Sequence, residues 1–206
     1  MSEVDRASHP EPALAERIGE LLGSRPASFR PARGGYSSAK RWLVETESGA
    51  RAFAKVGATA NTRKWLRYEI EVYRVLHGPF MPRVLGCSDD EDEPILLLED
   101  LSHGTWPPPW TEARLRDVLE AIRGVHASVA ALPPFDDVSL NGWPGWHDLV
   151  TDPGPFLSLG IASESWLSRA LPTLVDRSSR VSTEGDTVTH FDLRSDNLCI
   201  CPDGVR

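Results

Sequence analysis

At 206 residues the chain allows one domain and part of another, and 40% apolar with 25% charged residues fits a globular protein, excluding a disordered or fibrous one. Thirty acids against 22 bases give a net charge of −8, which argues against a nucleic-acid partner, and no run approaches the roughly 18 apolar residues of a membrane span. Cys87, Cys199 and Cys201, behind an acidic N-terminus with no export signal, suit reduced thiols in the cytoplasm. Residues 1–12 read as a disordered lead-in, and residues 13–22 as a short helix stopped by Gly23. From Phe29 the pattern turns to strands. Residues 31–38 form a turn-rich loop, residues 41–46 a strand leaving it, and Glu47-Ser48-Gly49 returns the chain into residues 52–56 as an antiparallel meander.

A helix follows, capped by Asn61 or Thr62 and stopped by Gly78-Pro79 after Leu76. At about 100° per residue, Trp65, Glu69, Val72, Tyr73 and Leu76 share one stripe, with Glu69 in its middle. Glu71, Arg67 and Arg74 point the other way. A carboxylate on a buried face is costly unless a cation meets it, so a base is expected opposite Glu69. Lysine is scarce: only Lys40, Lys55 and Lys64. Residues 81–87 read as a short strand, the acidic run 89–93 as a solvated turn, and Ile95-Leu96-Leu97-Leu98 as a buried central strand ending in Glu99-Asp100-Leu101. The segment Trp106-Pro-Pro-Pro-Trp110 cannot be helix or inner strand and marks a boundary between lobes. Beyond it Thr111 caps a helix with Leu115, Val118, Leu119, Ile122 and His126 on one face, His126 being a core histidine. Residues 133–160 give no definite element, and residues 165–174 suggest a short helix. Strands first and helices later imply an α+β fold in two lobes.

Near the end stands His190-Phe191-Asp192-Leu193-Arg194-Ser195-Asp196-Asn197, followed by a strand-like Leu198-Cys199-Ile200-Cys201. A tight loop of this spacing can aim Asp192 at a substrate hydroxyl while Asn197 holds a metal on the nucleotide phosphates. A carboxylate accepts the proton of an attacking alcohol, and an amide oxygen is a hard ligand for Mg²⁺. The bland alternative is a polar turn before a strand. Cys199 and Cys201 then share one strand face and read as packing.

The order glycine loop, strand lysine, helix glutamate, apolar strand with acidic exit and His-x-Asp-x-x-x-x-Asn resembles the aminoglycoside phosphotransferase and choline kinase-like family, from about Phe29 to Arg206. The strongest pieces are residues 190–197 and Leu-Leu-Leu-Glu-Asp-Leu at 96–101. Gly-Gly-Tyr-Ser-Ser at 34–38 and Leu-Arg-Tyr-Glu-Ile-Glu at 66–71 are weaker. The resemblance implies a two-lobed protein kinase-like fold. Residues 1–28 would be an extension with a short helix, residues 29–101 a nucleotide-binding lobe of antiparallel sheet and one helix, and residues 102–206 an incomplete, mostly helical lobe with the catalytic loop. It implies ATP and Mg²⁺ as cofactors and a small-molecule hydroxyl as acceptor.

By the same resemblance Lys55 holds the α- and β-phosphates while pairing with Glu69, Gly34, Gly35, Ser37 and Ser38 approach the phosphates, and backbone at Glu99 and Leu101 meets the adenine edge. Asp192 positions the nucleophile, and Asn197 binds the metal. Arg194 either steadies the transferring phosphoryl group or is a solvated neighbour of Asp196. A second metal-holding aspartate of such enzymes lies after the next strand. Here Pro202-Asp203-Gly204 signals a hairpin with only Val205-Arg206 after it, so a fragment of a longer protein is expected. Two rival readings stand beside phosphoryl transfer: a catalytically silent nucleotide-binding or interaction module, and a metal hydrolase built on His190, Asp192 and Asp196.

Overall fold

A computed structural model describes residues 9–32, 38–134, 145–182 and 184–206. It divides into two compact units, Met1–Leu132 with Thr187–Arg206, and residues 133–186. The first eight residues of the expected lead-in lie outside the described residues.

In the first unit α1 (Pro12–Leu22) begins on a proline, whose missing N–H costs nothing at a helix start, and ends at Gly23. Gly23 sits at φ 65°, where a side chain would be strained, and closes the helix with N–H bonds from Gly23 to Glu20 and from Ser24 to Gly19. Strands β1 (Pro26–Pro31), β2 (Lys40–Thr46), β3 (Arg51–Val56), β4 (Val84–Ser88) and β5 (Ile95–Glu99) form one antiparallel sheet in the order β1-β2-β3-β5-β4. The prolines at both ends of β1 are tolerated because β1 is an edge. The continuous apolar run of β5 fits its interior place, where both faces are covered.

Period-two alternation then sorts the side chains. Trp42, Val44, Ala52, Ala54, Val56, Ile95 and Leu97 pack with Leu14 and Ile18 of α1 on one face. Leu96, Leu98 and Phe53 point to the other face, against Leu66, Ile70 and Tyr73 of α2 (Ala60–Val75). The cap of α2 is Thr59, not Asn61 or Thr62. Thr62 is instead the third helical residue of a reciprocal capping box, accepting the Thr59 N–H at 2.8 Å.

The buried stripe of α2 is Thr62, Leu66 and Ile70, displaced by one residue from the stripe centred on Glu69. Both stripes are rich in apolar residues, and periodicity alone cannot say which one the sheet takes. The outward face carries the expected charges, with Glu71 bonded to Arg74, and Arg74 to Asp89 at 2.9 Å. The acidic turn folds on itself, Asp90 accepting the Asp92 and Glu93 N–H groups at 2.9 and 3.0 Å.

Helix α3 (Glu112–His126) is capped by Thr111, as expected, but only Val118 of the anticipated face is buried. Leu115, Leu119 and His126 are exposed. Val118, with Ala121 and Ile122, packs on Leu198 and Val205 to make a small core under the 190–197 loop. A single 3₁₀ turn, Ser195–Asn197, leads to the hairpin of β6 (Ile200–Cys201) and β7 (Gly204–Val205), with Gly204 at φ 135°. Thr105 exchanges backbone bonds with Ile200 (2.8 and 2.9 Å), tying the chain before α3 to the hairpin.

The second unit contains the short helices α4 (Asp148–Thr151) and α5 (Gly154–Ser158), then α6 (Glu164–Ser178). Helix α6 runs four residues past the expected end despite Pro172 in its interior. Among the described residues no helix is long and apolar enough to cross a membrane.

Candidate active site

Lys55 owes its direction to the sheet. On β3 its neighbours Ala54 and Val56 turn to the α1 face, so Lys55 turns with Phe53 towards α2. There Nζ donates to Glu69 Oε2, the cation and the carboxylate each retaining about a quarter to a third of their exposure. The pair is therefore desolvated enough to be oriented and open enough to reach a ligand. Trp65, Glu69, Val72, Tyr73 and Leu76, the stripe expected to be buried, line a cleft of about 1790 Å³ within the first unit. Lys55, Glu99, Leu101, Asp192, Arg194 and Asn197 line the same cleft.

The 190–197 loop is held by its own polar groups. Asn197 Nδ2 donates to the Asp192 carbonyl and to Asp192 Oδ2, both at 2.9 Å, and the Asp192 N–H donates to His190 Nδ1 at 3.2 Å. With its nitrogen so used, the Asn197 amide oxygen remains to accept a hydrogen bond or to ligate a metal. Arg194 forks onto Asp196 at 3.1 and 3.1 Å and lies 3.2 Å from Asp192 Oδ1. So placed, Arg194 neighbours both carboxylates of the loop. The Asp192 side chain is 58% exposed, so its carboxylate is accessible to a hydroxyl.

Of the expected phosphate loop, Gly34, Gly35 and Ser37 lie outside the described residues. Ser38 is described, exposed and not part of the cleft lining. Glu99 ends β5 and Leu101 lies two residues beyond it. The Glu99 N–H donates to the Arg83 carbonyl at 2.9 Å, and the Leu101 carbonyl accepts from Gly104 at 2.9 Å.

Two cleft residues, Tyr73 and Asp100, had no role in the sequence reading. Tyr73 has its hydroxyl held far above the usual tyrosine range, first by burial and then by the Glu69 and Glu99 charges. Asp100 lines the cleft with a side chain only 5% exposed. The Asp-x-Ser spacing with Ser102 is the signal that was available.

A metal ion at this loop would meet hard oxygens, the Asn197 amide and the carboxylates of Asp192 and Asp196, which suit Mg²⁺. Among the described residues no group of three or more His, Cys, Asp or Glu side chains is arranged to hold a metal. The rival hydrolase reading would need such a group from His190, Asp192 and Asp196. Cys199 and Cys201 sit with sulfurs 3.8 Å apart, and burial, reinforced by Cys201, pushes the Cys199 thiol up to about 12. Such a thiol is inert packing.

A search of curated proteins finds no match. Among solved structures the chain resembles a "putative fructosamine-3-kinase" from Thermobifida fusca YX-ER1, with a TM-score of 0.50 and 20% identity, over 95% of this chain and 72% of that one. At that identity the likeness speaks for the fold: mixed α+β, kinase-like, with an antiparallel N-terminal sheet. The model of the phosphotransferase enzyme family matches residues 28–206, well over half of the sequence. The chain belongs to the phosphotransferase enzyme family.

Proposed function

We propose that this chain transfers the γ-phosphate of ATP to a hydroxyl of a small molecule, with Mg²⁺ as the accompanying cation. One observation carries the reading: the Lys55–Glu69 pair and the Asp192–Asn197 loop, 123 or more residues apart in sequence, line a single cleft. Within it Lys55 neutralises the α- and β-phosphates, and Glu69 keeps the ammonium aimed at them. Asp192 accepts the acceptor's hydroxyl proton as its oxygen bonds to the γ-phosphorus, the bond to the β-phosphate oxygen breaks, and ADP leaves. Asn197 fixes the Asp192 carboxylate through its amide nitrogen and offers its oxygen to Mg²⁺. Bound there, Mg²⁺ would neutralise charge on the phosphate oxygens. Backbone at Glu99 and Leu101 meets the adenine edge, while Gly34, Gly35, Ser37 and Ser38 close over the phosphates. Arg194 would have to leave Asp196 to reach a phosphoryl group.

The fructosamine-3-kinase likeness puts sugar-derived amines on an acceptor panel beside aminoglycosides, choline and simple alcohols. Three free thiols, two of them within 3.8 Å and unbonded, suit a reducing cytoplasm. ADP release from Mg-ATP across that panel tests the reading. Turnover with at least one acceptor, abolished in Asp192→Ala, supports it. Nucleotide-dependent thermal stabilisation without any turnover favours a silent nucleotide-binding module instead.

A further inference from the structure

The Ala52–Glu99 pairing of β3 and β5 sets the first residue of β3 across from the residue that follows β5. Arg51 Nη2 accordingly lies 2.6 Å from Asp100 Oδ2. The same carboxylate accepts the Ser102 N–H at 2.8 Å and the Ser102 hydroxyl at 3.0 Å, and Arg51 also donates to that hydroxyl at 3.0 Å. A carboxylate 5% exposed is costly unless fully partnered, and three donors satisfy this one. The contact from Asp100 to the N–H two residues on is a side-chain-closed turn, which fixes the backbone at Asp100 and Leu101. The far end of the segment is tied as well. The Leu101 carbonyl accepts from Gly104, and a side chain on Gly104 would meet Cys199 Sγ at 2.3 Å.

We propose that Asp100 is a positioning residue for the nucleotide base: with Arg51 and Ser102 it clamps the 99–102 backbone so that Leu101 presents a rigid hydrogen-bonding edge to the purine. The inference rests on the nucleotide reading above. Because the Leu101 carbonyl already accepts from the Gly104 N–H at 2.9 Å and the Cys199 thiol at 3.6 Å, Leu101 meets the base through its N–H. A fixed N–H loses less freedom on binding than a mobile one, so the clamp strengthens the base contact without touching the phosphates.

Calorimetric titration of the whole chain with ATP and, separately, with inorganic tripolyphosphate distinguishes the possibilities. Asp100→Asn is expected to weaken ATP about tenfold and to leave tripolyphosphate unchanged. Ser102→Ala, which removes one hydroxyl and leaves the ion pair, keeps the test open should Asp100→Asn fail to fold, with an expected loss for ATP of about threefold. Unchanged ATP affinity in the folded variants, or equal weakening of both ligands, overturns the clamp while leaving the nucleotide site intact. Wild-type protein that binds ATP no better than tripolyphosphate would overturn the base contact itself and the nucleotide reading with it.

Discussion

The two ends of the cleft are built by opposite means. At the sheet end, Lys55 lies on a strand paired on both sides, between residues with no solvent exposure, and its aim follows from the period of the sheet. At the loop end Asp192 is 58% exposed, Phe191 and Leu193 are more than 40% exposed, and the geometry depends on Asn197, Arg194 and His190. Apolar packing fixes the group that must stay still under charge. Local polar bonds hold the group that, in the proposed reaction, meets an acceptor and takes up its proton. Substitutions at the sheet end should therefore trade stability against binding, whereas those in the loop should change turnover at nearly constant stability.

The sharpest contrast is in the loop. Asp192→Ala is expected to lower phosphoryl transfer by about 10²- to 10⁴-fold with the melting temperature unchanged; a matching drop in melting temperature would erase the distinction. At the sheet end Leu97→Ala, at a position with no exposure, should cost about 2–5 kcal/mol in urea unfolding. A cost below about 1 kcal/mol would mean that the strand is not packed on both faces as described.

Lys55→Met, between these extremes, should weaken ATP about ten- to hundredfold by loss of a charge-assisted contact. It should change stability by under about 1 kcal/mol, because its ion pair with Glu69 is part-exposed. The last contrast is in pH. The Cys199 thiol, ordinarily near 9.0, is raised in the folded chain to about 12, so the unfolded chain loses that proton first. Stability on this account is constant below about pH 8 and declines as pH rises from about 9 towards 12. Tyr73, raised in the same direction, adds to the decline at its upper end. A urea midpoint that stays level from pH 8 to about 10.5 would contradict it.

Much of the sheet end could be read from residues alone, because alternation in β2 and β3 and the run in β5 leave few arrangements that bury them. The resemblance, and not the residues alone, assigned Lys55 to Glu69; the pair is present, but on the wall of the cleft and not on the buried stripe. The face of α2 did not yield to periodicity. Two adjacent stripes are apolar because Leu66 and Ile70 pack on the sheet while Trp65 and Val72 wall the cleft, with Tyr73 shared between them. The same ambiguity misled the reading of α3, where Leu115 and Leu119 share the period of Val118 but not its burial. Whether Arg194 steadies a phosphoryl group or neighbours Asp196 was open for another reason: a long cation in a polar loop can reach either, and spacing does not choose. Asp100 had no role assigned because its partner is a cross-strand neighbour, Arg51, that only the register supplies.

The most direct test is a crystal structure of the chain with Mg²⁺ and a non-hydrolysable ATP analogue. The account predicts one nucleotide in the cleft, its α- and β-phosphates on Lys55 and its γ-phosphate facing Asp192. A nucleotide that leaves either Lys55 or Asp192 without a phosphate beside it would contradict the account.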